Sequence, residues 1–168
     1  KISNQKDSLQ TVDEGLRDFL NNYKDKTYAG DLTSKLAIYC GKGKHKSAID
    51  YLEEEVYPCV AKIVEEYGMD PKETILKYHK GNKKHPISAE SKLEFEALDM
   101  PFSKIRIILL VHIGKEGWDC RSLTGVILSQ KGDSHISFSL NHLIKHYRFL
   151  TSVFPLISFY VSHLQAFP

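Results

Sequence analysis

The sequence predicts an α/β fold with a mostly parallel sheet between helical layers. Three observations lead there. Three short apolar runs, residues 36–40, 105–113 and 124–129, have the length and content of buried strands, and residues 74–79 carry the alternation of a strand. Between them lie stretches in which apolar residues recur every three to four positions, the period of a helix. Finally, 168 residues suit a single domain, and strands alternating with helices inside one domain demand right-handed crossovers and a sheet covered on both faces.

The elements follow in order. Leu9, Val12, Leu16, Phe19 and Leu20 form one apolar stripe with charges between them, an amphipathic helix over residues 9–23. Ala29, Gly30 and Asp31 interrupt it. Leu36-Ala37-Ile38-Tyr39-Cys40 is the first buried strand, closed by the turn Gly41-Lys42-Gly43-Lys44. Ala48, Ile49, Leu52, Val56, Val60, Ile63 and Val64 keep a single face over about five turns, with Pro58 expected to kink or divide that helix because it has no N–H to donate. Gly68 ends it. Asp70-Pro71-Lys72-Glu73 has the form of a helix cap, yet residues 74–79 alternate as a strand does, so a short turn leading into a strand is expected. Leu93, Ala97 and Leu98 give residues 88–98 a helical spacing. Residues 105–113, rich in Ile, Leu and Val, are the clearest strand, and 124–129 follow as another. Ligands of such sheets sit at the carboxyl ends of the strands, where the loops after Cys40, His79 and Ile113 would share an edge.

Composition narrows the function classes without choosing one. Apolar residues make up 42% and charged residues 26%, ordinary for a globular chain. The net charge of +2 is too small for a general polyanion-coating surface, so any nucleic-acid contact must be local. Cys40, Cys59 and Cys120 show no CxxC pairing, which signals neither a zinc site nor a disulfide framework and fits a reducing cytoplasm. Residues 1–13 are polar, without the apolar core of a signal peptide. The most apolar stretch, residues 149–161, is shorter than the roughly 20 residues of a membrane span and contains Pro155, so no membrane contact is expected.

A break follows Asp133. Every acidic residue lies at or before it, whereas the last 35 residues contain no acid and no glycine but four of the eight histidines, His135, His142, His146 and His163. A buried helical hairpin, a membrane-seeking segment and a non-native reading frame all produce such a tail; the Phe, Leu, Ile, Ser, His and Tyr mixture favours the last. Metal binding by these histidines is disfavoured, because they offer one i, i+4 pair and no carboxylate. The expected organisation is a linker with an amphipathic helix over 1–34, a partial lobe over 35–133 and an aberrant tail over 134–168.

The loop after the long strand reads Gly114-Lys115-Glu116-Gly117-Trp118-Asp119. Glycines at a buried strand's end let backbone N–H groups approach a phosphate, and a carboxylate there can accept from a ribose. The same residues would equally make an ordinary tight loop, with Trp118 filling the core. Ile105-Arg106-Ile107-Ile108-Leu109-Leu110-Val111-His112-Ile113 running into Glu116-Gly117-Trp118-Asp119 resembles motif V of type III restriction endonuclease subunits, superfamily 2 helicase-like motors. Leu36-Ala37-Ile38-Tyr39-Cys40-Gly41 resembles their motif IV strand, and the likeness extends over residues 16–133.

The resemblance implies the second lobe of a RecA-like three-layer sandwich, incomplete at its carboxyl end. Gly117 would offer its backbone near a nucleotide, Asp119 would approach the ribose or a coupling arginine, and Glu116 would order the loop. Gly41, Lys42 and His79 would lie near nucleic-acid phosphate. Implied partners are DNA, a first RecA-like lobe and a modification methyltransferase subunit, with ATP and Mg²⁺ held mainly by that first lobe. The departures are specific. No glutamine-and-arginine motif VI follows Gly132, and Cys40 and His45 stand where a GxxxxGK[ST] loop needs glycine. Loss of an arginine finger alone removes about 10³ to 10⁵ in rate, so the chain by itself is expected to lack ATPase activity, and no residue is assigned a catalytic role. Glu53-Glu54-Glu55 reads as a solvated helix face, and Lys83-Lys84-His85 with Lys77 and Lys80 as a basic loop that is either solvated or touches phosphate. The rival expectation is a stand-alone α/β interaction module, its tail docked as a helix pair.

Overall fold

The computed structural model describes residues 8–42, 45–111, 120–129 and, as backbone alone, 158–161. Helix α1 (Ser8–Tyr23) turns Val12, Leu16, Phe19, Leu20 and Tyr23 inward, as the stripe in the sequence requires. Its end is tied down by Arg106, whose guanidinium donates to the Tyr23 carbonyl at 3.1 Å, to the Lys24 carbonyl and to the Ser34 carbonyl at 3.0 Å. The Tyr23 and Lys24 carbonyls are ones that a helix terminus leaves without intrahelical partners, and a cation suits them. A small hairpin follows, β1 (Thr27–Tyr28) and β2 (Leu32–Thr33), turning through Gly30 and Asp31 at positive φ.

The main sheet holds β3 (Lys35–Tyr39), β4 (Ile75–Tyr78), β5 (Ile107–Leu110), β6 (Leu123–Leu128) and β7 (Ser158–Val161) in the order β4-β5-β3-β6-β7, every pairing parallel. The chain is therefore α/β, with β3 central. Leu36, Ile38, Ile107, Leu109 and Ile127 pack on one face with α1 and the helical run between β3 and β4. Ala37, Leu76, Ile108, Leu110 and Val126 face the other side, where Phe95 and Leu98 approach from α5 (Ala89–Glu96) and the turn after it. The Phe95 ring stacks on Tyr78 at 3.9 Å. Burying each large aliphatic side chain contributes roughly 1.5–3 kcal/mol, so strands buried on both faces hold the domain together.

Three expectations are refined. The nine-residue strand narrows to β5, flanked by buried Ile105 and Val111; His112 and Ile113 lie outside the described residues. The helix carrying Pro58 divides into α2 (Ala48–Tyr51), a π-helical turn (Leu52–Val56) and α3 (Tyr57–Glu66). Tyr57 N–H reaches back to the Leu52 carbonyl, an i→i−5 bond. Pro58 can neither donate to residue 54 nor tolerate its carbonyl nearby, and the wider turn just before it accommodates both demands. Gly68, at φ +74°, ends α3, and its N–H donates to the Glu65 carbonyl. A one-turn helix, α4 (Pro71–Thr74), capped by Asp70 accepting from Lys72 N–H at 2.8 Å, leads directly into β4.

Nor does the sheet stop at β6. Four residues of the acid-free tail add β7, with Gly125 opposite Ser158 and Leu128 opposite Val161. Ser158-Phe159-Tyr160-Val161 is rich in strand-forming types, and these residues are not part of a helix pair. Among the described residues no helix is long and apolar enough to cross a membrane.

Candidate functional site

The carboxyl ends of three strands are flush. Tyr39, Leu110 and Tyr78 lie opposite one another across β3, β5 and β4. Cys40 N–H donates to the Leu110 carbonyl at 2.8 Å and Val111 N–H to the Tyr78 carbonyl at 3.3 Å, which carries the alignment one residue further. Gly41 and Lys42 thus leave the sheet at the same level as His79, with β5 between them, a separation of about 10 Å at the usual strand spacing. Gly41 is buried and Lys42 exposed. Glu116, Gly117 and Asp119, expected at the exit of β5, lie outside the described residues, as do the tail histidines.

His79 has a different surrounding from the one expected of a phosphate contact. It is 5% exposed, and both ring nitrogens are engaged. Gly81 N–H donates to Nδ1 at 3.0 Å, so the ring proton sits on Nε2 and is donated to Glu53 Oε1 at 3.2 Å. Glu53 also receives Lys77 Nζ on Oε2 at 2.7 Å. Burial pushes the Glu53 carboxyl upward, but the Lys77 and His79 hydrogen bonds outweigh it and hold the group ionised, below its usual range. Among the described residues, the cations that reach solvent at this exit are Lys42, Lys80, Lys83 and Lys84, of which Lys84 is paired with Glu54.

The loop from His79 to His85 is built rather than slack. Gly81 sits at φ +74°, and a Cβ there would come within 2.8 Å of Ile87 N. The Asn82 carboxamide oxygen accepts from Lys84 N–H at 2.9 Å and from His85 N–H at 2.6 Å, while Asn82 N–H donates to the His85 carbonyl. Three further contacts fasten this loop to the helical run: Asn82 Nδ2 to Asp50 Oδ1 at 3.2 Å, Lys84 to Glu54, and His85 Nε2 beside Asp50 Oδ1 at 3.6 Å. The last is too long for a hydrogen bond, and His85 Nε2 is buried with no such partner.

Glu54 also receives Lys46 at 2.8 Å, and Lys46 reaches Glu55 at 2.9 Å. Hydrogen bonds from Lys46 and Lys84 bring the Glu54 carboxyl down to about 2. Asp50, Glu54 and His85 bring potential metal-ligand atoms within 4.8 Å of one another, but the two lysines already on Glu54 oppose a cation there.

The sequence reading of Glu53-Glu54-Glu55 as a solvated face holds for Glu54 and Glu55, which reach solvent, but not for Glu53. The Glu53 side chain is 12% exposed, and all three carboxylates are ion-paired. One signal was available: consecutive helical residues lie about 100° apart, so three acids between the core positions Leu52 and Val56 cannot all point to water. Comparison with known proteins finds no match, whether to a family model, a curated protein or a solved structure.

Proposed function

We propose that this chain is part of the second RecA-like lobe of an ATP-dependent nucleic-acid translocase of the type III restriction endonuclease kind, and that the carboxyl edge of its sheet holds one nucleic-acid strand. The observation that carries this reading is the flush exit of β3, β4 and β5, which sets Lys42 at the same level as the hydrogen-bonded loop bearing Lys80 and Lys83, one strand away. Lysines on a prearranged loop lose little freedom on meeting phosphate. The order of strand, glycine-lysine turn, strand and the Glu116-Gly117-Trp118-Asp119 segment agrees with the motif order of that family. Gly41 and Lys42 would face the nucleic acid, with His79 setting the loop through Glu53 and Gly81 rather than touching phosphate itself. Glu116, Gly117 and Asp119 would face a nucleotide with Mg²⁺ supplied by a first lobe.

Anisotropy of a labelled single-stranded oligonucleotide tests the reading. Binding should be weak and fall steeply with salt, and the Lys80→Ala/Lys83→Ala variant should lose about 1.4 from the log–log salt slope, roughly 0.7 per single-strand phosphate contact. A slope indifferent to those lysines would end the proposal, as would ATP turnover by the purified chain. A second reading, an α/β interaction module without a motor, is favoured by one observation. The exposed large apolar residues among those described, Ile87, Leu93, Met100 and Phe102, all fall between β4 and β5. Loss of a protein partner on Leu93→Ser/Phe102→Ser substitution, with no DNA binding, would select it.

A further inference from the structure

Among the described residues, six lysines stand at or beside this edge, and they fall into two sets. Lys46, Lys77 and Lys84 are each held by a carboxylate of the π-helical turn. Lys42, Lys80 and Lys83 are exposed and have no ion pair among the described residues. The π-helical turn directs Glu53 at Lys77 of β4, and Glu54 and Glu55 at Lys46 and Lys84, which come from two different loops. We infer that Glu54 is a charge mask on the anion-binding edge, withholding Lys84 from phosphate and limiting the grip to the three unpaired lysines.

This inference rests on the reading of the edge as a phosphate contact and adds what regulates it. The mask is a partial one. Lys84 is 63% and Glu54 34% exposed, and exposed ion pairs are weak, screened interactions. Yet Lys84 can reach a phosphate only by giving up Glu54, whose charge then stays beside the ligand and repels it. Lys46 retains Glu55 if Glu54 is neutralised, so Lys84 is the one cation released. A weak grip suits a strand that must slide, and altering Glu54 would tighten it.

The test uses the full chain, a fluorescein-labelled oligothymidylate and a salt titration. Glu54→Gln should bind several-fold more tightly near 0.1 M salt and steepen the slope by about 0.7, one added single-strand phosphate. Glu54→Gln/Lys84→Ala should return the slope to that of the unaltered chain. Glu65→Gln, which removes the same charge at the far end of α3, should change nothing. An unchanged slope in Glu54→Gln, or an equal change in Glu65→Gln, overturns the mask. If Lys80→Ala/Lys83→Ala still loses slope in that case, the reading of the edge survives. If that variant is also unchanged, both fall. Circular dichroism and Tm accompany each variant, and Glu54→Gln is a surface change that the fold should accept.

Discussion

Lys35 is the residue whose position the fold tolerates at a cost. It opens the central strand, is 1% exposed, and among the described residues its ammonium donates to the Thr33 carbonyl at 3.3 Å and the Thr33 hydroxyl at 3.1 Å. Burial pulls its pKa down from 10.5 to about 8. The folded chain therefore binds this proton less readily than the unfolded chain, and stability rises with pH between about 8 and 10.5; below that window the cost is fully present. At neutral pH it amounts to about 3 kcal/mol. Lys35→Met should recover most of that in urea unfolding and should flatten the pH dependence across the same window. A variant no more stable than the parent would show that the two Thr33 contacts already offset the burial. Gly81→Ala acts in the opposite direction. Its φ of +74° and the 2.8 Å approach to Ile87 N allow no side chain, so the loop must shift, and Tm should fall by several degrees for about 1–2 kcal/mol.

Among elements, the π-helical turn has the largest bearing on the site. Glu53 satisfies Lys77 and His79 together, and removing one partner of a mostly buried set leaves the others without compensation. Glu53→Ala should cost about 1–3 kcal/mol in urea unfolding, more than Glu53→Gln, which still accepts from one donor; equal losses would mean that only the charge matters. The elements themselves were largely legible. The α1 stripe, the strand ending at Gly41 and the turn from Asp70 into β4 each follow from local pattern, since period, cap and breaker act within a few residues of where they are read. The π-helical turn was legible only as a disturbance near Pro58, because its register is a compromise between Pro58 and the core positions Leu52, Val56 and Val60. The pairing of the acidic set, and the burial of Glu53, were not legible for a related reason. The set's partners Lys77, His79 and Lys84 arrive from 24 to 30 residues away, and no local pattern encodes that meeting. Arg106 is a similar case: within an apolar run it looks like an interruption, and its role as a cap for the end of α1 exists only once β5 lies beside β3.

At the scale of the whole molecule, charge and sheet order divide the chain differently. By charge the break falls after Asp133, yet the sheet crosses it, because β7 pairs in parallel with β6 and continues the ladder begun by β3. If the tail belongs to the fold, those hydrogen bonds matter to its stability, and backbone chemistry offers a direct test. Successive N–H groups along a strand point to opposite edges, so one of Phe159 and Tyr160 must donate toward β6. Phe159→Pro/Tyr160→Pro removes both donors and leaves β6, an apolar strand of six residues, with an unpaired edge. Exposed apolar edges recruit further strands, so the variant should show a lower Tm and concentration-dependent association in sedimentation velocity, where the parent chain sediments independently of concentration. A variant matching the parent in both measurements would mean that residues up to Ser129 hold the sheet without β7, and that the break in charge is also the boundary of the cooperative fold.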